Sequence, residues 1–125
     1  LSMASGLAML SALESDKSFY ENLGKRSQYL VNGIVSEAKA QNIPMTSNSV
    51  GGMFGLFFSS EERVSNFSQA SSCNIELFKK FYNAMLKQGI YLAPSAYEAG
   101  FLSNAHSDED LDKTINAASA AFSSI

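Results

Sequence analysis

Between Val50 and Phe58 the chain reads Val-Gly-Gly-Met-Phe-Gly-Leu-Phe-Phe, a run without one polar side chain. Such a run has no wet face, so other parts of the fold must cover it. Its shortness, its phenylalanines and its glycines suit a strand covered on both sides rather than a helix. The glycines would let a neighbouring backbone come close. The run falls far short of the about 20 apolar residues that a bilayer-crossing helix needs, so no transmembrane helix is expected. With 125 residues, 46% apolar and 17% charged, the chain has material for one domain with a modest core, and wholesale disorder is excluded.

Helical periods flank that run. Leu1 to Leu13 reads as helix, with Met3, Leu7 and Leu10 at helical spacing. A chain that opens inside a helix is expected to be part of something longer. A second helix is predicted from Phe19 to Gln41, with Ser18 and Glu21 as a capping box and Phe19, Leu23, Leu30, Ile34 and Ala38 on one face. Gly24 and Gly33 should weaken it by about 1 kcal/mol each, and Asn42 and Pro44 should end it. Ser59 to Ser72 is polar and serine-rich, a surface loop with a short strand expected around Val64 to Phe67. Asn74 is placed to cap a helix from Ile75 to Gln88, with Phe78, Phe81, Tyr82 and Met85 as its buried stripe and Gly89 as its left-handed stop. Ile90 to Ala93 reads as a short strand halted by Pro94, and Gly100 to Ser103 as another. Ser107 with Asp110 signals a last helix, carrying Leu111, Ile115, Ala118 and Phe122 on one side. The expected class is α+β: a small, mostly antiparallel sheet of three or four short strands with helices packed on one face.

The net charge is −3, and basic residues come no denser than Lys25–Arg26 and Lys79–Lys80, which argues against nucleic acid as a main partner. The acidic run Asp108-Glu109-Asp110-Leu111-Asp112 lacks the glycine-centred spacing of a calcium loop and reads as the first turn of a helix, where carboxylates meet the positive end of the dipole. No phosphate-cradling glycine motif is present; Gly51, Gly52 and Gly55 precede apolar residues and are assigned to packing. His106 has no second histidine to share a metal, so it reads as a local hydrogen-bonding residue. A lone Cys73 cannot form an internal disulfide and suits a reducing interior. No basic residue precedes Lys17, so no signal peptide is expected in these residues.

Gly89 to His106 carries the most chemistry. It sets Ser95, Tyr97, Glu98 and Ser103 between two strand-like pieces, and loops after strands commonly present binding groups. From spacing alone, Glu98 is most simply a solvated loop carboxylate. The string Gly-Ile-Tyr-Leu-Ala-Pro-Ser-Ala-Tyr-Glu-Ala-Gly-Phe-Leu-Ser-Asn-Ala-His nevertheless resembles the C-terminal signature of the glutamate-1-semialdehyde 2,1-aminomutase family, a branch of the class III pyridoxal-phosphate-dependent aminotransferases. Three further segments resemble that family: Leu1-Ser-Met-Ala-Ser-Gly-Leu-Ala-Met-Leu, the Val50 to Phe58 run, and Asp108-Glu-Asp-Leu-Asp-Lys-Thr-Ile.

The resemblance implies that residues 1–125 are the small C-terminal domain of a larger enzyme, with residues 1–17 a helix leading in from a large domain. It implies an intact homodimer that isomerises glutamate-1-semialdehyde to 5-aminolevulinate, the tetrapyrrole precursor, by intramolecular amino transfer on pyridoxal 5′-phosphate. The Schiff-base lysine and most of the cofactor site belong to the large domain, and no lysine here matches that motif. No catalytic, cofactor-binding or metal-ligating residue is therefore assigned to this chain, which alone is expected to be inactive and to hold no cofactor. The one residue carried over is Glu98, as a substrate-binding group. Related aminotransferases commonly place an arginine there to grip a carboxylate; a glutamate repels that group and suits the amine of a diamine intermediate. Bacterial cytoplasm or a plastid interior are the compartments implied. The rival readings are a class III aminotransferase of the ornithine or γ-aminobutyrate type, and a free-standing α/β ligand-binding domain.

Overall fold

The computed structural model describes residues 1–125. Helix α1 spans Ser2–Ser15 and α2 Phe19–Ala40; strands β1 (Thr46–Val50) and β2 (Met53–Phe57) follow; then come α3 (Phe67–Ser71), α4 (Ile75–Lys87), β3 (Gly100–Phe101) and α5 (Asp108–Phe122). The sheet has the order β1-β2-β3 and both pairings are antiparallel. The class is the expected α+β one. No helix is long and apolar enough to cross a membrane.

The apolar run does not form one strand covered on both sides. Val50 closes β1 and pairs with Met53 across Gly51 and Gly52, so the run folds back into a hairpin. Gly51 stands at φ +56°, a backbone conformation that a side chain disfavours. Beyond the turn, residues alternate: Phe54 and Leu56 are buried under the helices, while Met53 is exposed and Gly55 and Phe57 are half-buried on the other face.

The buried face of β2 meets α2, α4 and α5. Phe81 stacks on Phe122 with ring centroids 4.7 Å apart, and Phe58 stands edge-on to Phe81 at 5.5 Å. Val31, Ile34 and Met85 complete the fully enclosed layer. Gly33 marks the crossing of α2 with α5: a Cβ there would fall inside the Ile115 side chain, so the residue expected only to weaken the helix is what lets α5 approach. Ser119 Oγ donates to Glu37 Oε2 at 2.6 Å, and Gln88 Nε2 donates to the Ala117 carbonyl at 2.9 Å, tying α5 to both neighbours.

Local signals fare unevenly. Asn74 caps α4 by accepting from the Leu77 N–H at 2.9 Å. Gly89, at φ +80°, ends that helix, with its N–H on the Leu86 carbonyl and the Ile90 N–H on the Met85 carbonyl. The Ser107–Asp110 capping box forms as expected. At α2 the expected box does not: Ser18 makes no side-chain cap bond, and Asp16 Oδ1 instead accepts from the Ser18 N–H and hydroxyl. Ile90 to Ala93 is not a strand: the sheet ends at β3 in the order β1-β2-β3, and this segment pairs with neither edge. Val64 to Phe67 is not one either; the Val64 carbonyl takes a side-chain bond from Asn48, and Phe67 opens α3. The strand expected at Gly100 to Ser103 shortens to Gly100–Phe101, with the Leu102 N–H donating to the Gly52 carbonyl at 2.7 Å.

Two substitutions separate the packing effects. Phe81→Ala empties the centre of the aromatic cluster and should cost about 3–5 kcal/mol. Ser27→Ala removes a buried hydroxyl that has no hydrogen-bond partner, and should leave stability unchanged or raise it by about 1 kcal/mol. Urea titrations of the two variants measure both; a Ser27→Ala protein clearly weaker than the parent would show that the hydroxyl is held by a bond.

Candidate functional site

The hairpin exposes a second face of the sheet. Residues paired across antiparallel strands share a face, so Met53 stands beside Val50, Gly55 beside Asn48 and Phe57 beside Thr46. Phe101 opposite Met53 extends this face, and Val50, Met53 and Phe101 are all exposed. Along its rim runs the loop from Ala93 to Ala99. Ala96, Tyr97 and Glu98 of that loop, with Asn48, Met53, Gly55 and Phe57 of the sheet, enclose an open depression of about 220 Å³.

Ser95 shapes the loop. Its carbonyl accepts from the Glu98 N–H at 3.1 Å and its hydroxyl from the Tyr97 N–H at 3.2 Å, which makes a tight turn of Ser95 to Glu98. Tyr97 lies 6.1 Å, ring to ring, from Phe67 at the start of α3. Glu98 is exposed at the turn's end, and its carboxylate enters no hydrogen bond and no ion pair. It also borders a narrow cleft against Phe54, Phe78 and Gly100, so it sits on the ridge between the outer face and the edge of the core.

Ser103 and His106 belong to a different construction. The Ser103 N–H donates to His106 Nδ1 at 3.0 Å, the His106 N–H donates to the Ser103 carbonyl at 3.2 Å, and the Ala105 N–H donates to Ser103 Oγ. An accepting Nδ1 places the imidazole proton on Nε2. Arg26 holds the far side, with Nη2 on the His106 carbonyl and Nε on Asp108 Oδ1 at 3.0 Å. His106 thus braces the entry to α5 and lines a cleft that Glu98 does not share. Cys73 is elsewhere again, half-buried after α3, its thiol donating to the Gln69 carbonyl; burial pushes that thiol up from its ordinary value.

The acidic run is consumed by structure. Asp110 accepts from the N–H and hydroxyl of Ser107, and these bonds hold its carboxyl below the usual range. Asp112 accepts from the Tyr29 hydroxyl at 2.6 Å, which pushes the phenol up. Asp108 pairs with Arg26.

The depression is lined by one acidic residue, Glu98, and by no cationic one. That set does not fit a phosphate-bearing cofactor, which needs donors and positive charge. It fits a cation or a neutral apolar group. The residues that the sequence reading missed are Met53, Gly55 and Phe57, taken there as doubly covered. The signal was the Gly51-Gly52 pair, which reads as a two-residue hairpin turn when the run is split around it.

No family model matches the chain. Among solved structures it superposes on a transaminase with PLP bound, at a TM-score of 0.75 and 20% identity, over 98% of this chain and 27% of that one. The fold is that of the small domain of a PLP-dependent aminotransferase. A β-phenylalanine aminotransferase from Variovorax paradoxus matches at a TM-score of 0.72 and 17% identity, over 82% of this chain and 23% of that one. An ω-transaminase from Sphaerobacter thermophilus matches at 0.69 and 16%, over 88% and 25%. The chain therefore spans about a quarter of the length of these enzymes.

The Asp110 bonds make stability depend on pH in a defined direction. A carboxyl depressed in the folded state stabilises it above the unfolded value of about 3.9, and that contribution is lost as pH falls through the folded value. Carboxyl NMR should place the Asp110 midpoint below the ordinary aspartate value. Ser107→Ala should raise the midpoint and flatten the loss of stability in acid. An unmoved midpoint in that variant would show that the backbone N–H of residue 107, which alanine keeps, holds the carboxyl down without the hydroxyl.

Proposed function

We propose that residues 1–125 are the small domain of a larger class III aminotransferase-type enzyme, and that this enzyme is an aminomutase acting on glutamate-1-semialdehyde. In this reading the large domain of the same polypeptide holds pyridoxal 5′-phosphate and the reactive lysine, and the intact enzyme is a homodimer. The bound cofactor supplies the electron sink for moving an amino group. This chain contributes Glu98. A lone free cysteine suits a reducing compartment, cytoplasm or plastid interior.

One observation carries the reading. In the string Ala-Pro-Ser-Ala-Tyr-Glu-Ala-Gly, the turn built by Ser95 presents Glu98 beside an apolar depression with no cation to neutralise it. An unpaired carboxylate at the rim of a site attracts an amine and repels the carboxylate of an ordinary amino acid. Glu98 thereby orients a substrate with a free ammonium end. A free-standing module is less well supported, because no residue of α1 is buried and Met3, Leu7, Met9 and Leu10 lie open. Such an apolar element suits packing against a larger body.

A second reading has its own support: the solved structures of like fold are transaminases, which favours an enzyme that passes its amino group to a separate acceptor. The parent enzyme distinguishes them. An aminomutase forms 5-aminolevulinate from glutamate-1-semialdehyde with no added acceptor; an intermolecular aminotransferase does not. Glu98→Gln in that enzyme should lower kcat/KM by about tenfold to a hundredfold, the worth of a charged hydrogen bond, with cofactor content unchanged. Unaltered kinetics would remove Glu98 from the site. The 125-residue chain alone should neither turn over nor acquire a cofactor absorbance band when mixed with pyridoxal 5′-phosphate and passed through a desalting column.

A further inference from the structure

We propose that Gly55 and Phe57 set the depth of the depression beside Glu98 and restrict it to an unbranched aliphatic amine. The inference rests on the reading of Glu98 as an amine partner and adds the residues that select the amine.

Gly55 and Phe57 are two apart on β2 and share its outer face. A Cβ at Gly55 would stand 2.9 Å from Cζ and 3.0 Å from Cε2 of Phe57. The ring therefore lies back over Gly55, in the space a side chain would fill, and forms the floor of the depression. Gly55 has no positive φ, so its backbone tolerates alanine and the ring alone has to move. Movement away from the strand carries the ring into the depression and makes it shallower.

The rest of the lining fixes the ligand's chemistry. Met53 adds apolar wall. Asn48, across from Gly55, spends its amide on the Val64 carbonyl at 2.6 Å. Charge in the depression comes from Glu98 alone, with Tyr97 beside it at the rim. A carboxylate and an aromatic ring lining one depression attract an ammonium group through the charge of the one and the negative face of the other. About 220 Å³ of open space accepts a short straight chain. A branched or aromatic amine requires the Phe57 ring to leave the floor.

The test uses the 125-residue chain, labelled with ¹⁵N and titrated with 1,4-diaminobutane, with 1,4-butanediol as the uncharged counterpart and benzylamine as the bulky one. The diamine should shift the amides of Gly55, Tyr97 and Glu98 saturably, the diol should not, and benzylamine should bind more weakly. Gly55→Ala should weaken the diamine by about threefold through the displaced ring. Phe57→Trp should do the same without touching residue 55, which keeps the test decisive if the alanine variant folds poorly. Glu98→Gln should weaken it by about tenfold. Parent-like binding by both Gly55→Ala and Phe57→Trp, or equal binding of benzylamine, overturns the proposal and leaves Glu98 in place. Parent-like binding by Glu98→Gln overturns the amine reading of Glu98 as well. The absence of any saturable shift in the parent chain shows that the depression takes no amine and overturns the proposal, while Glu98 is then judged by the kinetics of the whole enzyme.

Discussion

The reversal at Gly51 and Gly52 is the constraint on which both the core and the outer face depend. Gly51 supplies a positive φ, +56°, that closes a two-residue turn, and Gly52 sits where a Cβ would stand 2.8 Å from Leu23 Cδ2 and 3.0 Å from the Leu102 carbonyl. One glycine is required by conformation and the next by close approach. Together they bring α2, β2 and the end of β3 into one corner. Because a strand alternates its side chains, fixing the turn decides that Phe54 and Leu56 go to the helices and that Gly55 and Phe57 go to the depression. A register slip of one residue would exchange the two sets and expose the core.

The features legible in the sequence were those closed within a few residues. The Asn74 cap, the Ser107–Asp110 box and the Gly89 stop each need only a donor, an acceptor and a permissive backbone nearby, and each forms. Ser18 shows the limit even there. Asp16, two residues upstream, takes the Ser18 N–H, while the Glu21 carboxylate that the box requires goes to Lys25 Nζ at 2.6 Å. Strands were less legible, because a strand exists only where a partner does. Ile90 to Ala93 has strand-like composition, yet it pairs with neither edge of the β1-β2-β3 sheet. Gly33 is half legible for a related reason: its cost to the helix is local, whereas its use, admitting Ile115, lies in a helix some eighty residues away.

The site was legible in a different way. Spacing alone left Glu98 as a solvated loop carboxylate, and the family resemblance singled it out. The structure adds what neither contained: a turn made by Ser95 that holds Glu98 at the rim, and the depression it borders. Ser103 and His106 match the same string, yet they brace the start of α5 through Arg26 and share no cavity with Glu98. Matching a signature therefore does not make its residues one site. The string combines a presenting turn with a helix-entry turn, and only the first borders the outer face.

The charge logic of the proposed function follows from what α1 and the outer sheet face leave open. Val50, Met53 and Phe101 around the depression are exposed, and no residue of α1 is buried. In the proposed enzyme, a large domain closing over such surfaces would remove water from them, and the hydrophobic gain would drive the closure. The same closure draws Glu98 toward a drier setting, where a carboxylate without a partner is costly by several kcal/mol. An arriving ammonium group cancels that cost, whereas an arriving carboxylate doubles it. Selectivity for an amine then exceeds what the open depression provides by itself. It arises because apolar burial and charge pairing are coupled at one rim, so only a substrate that turns its ammonium end toward Glu98 lets the surfaces meet.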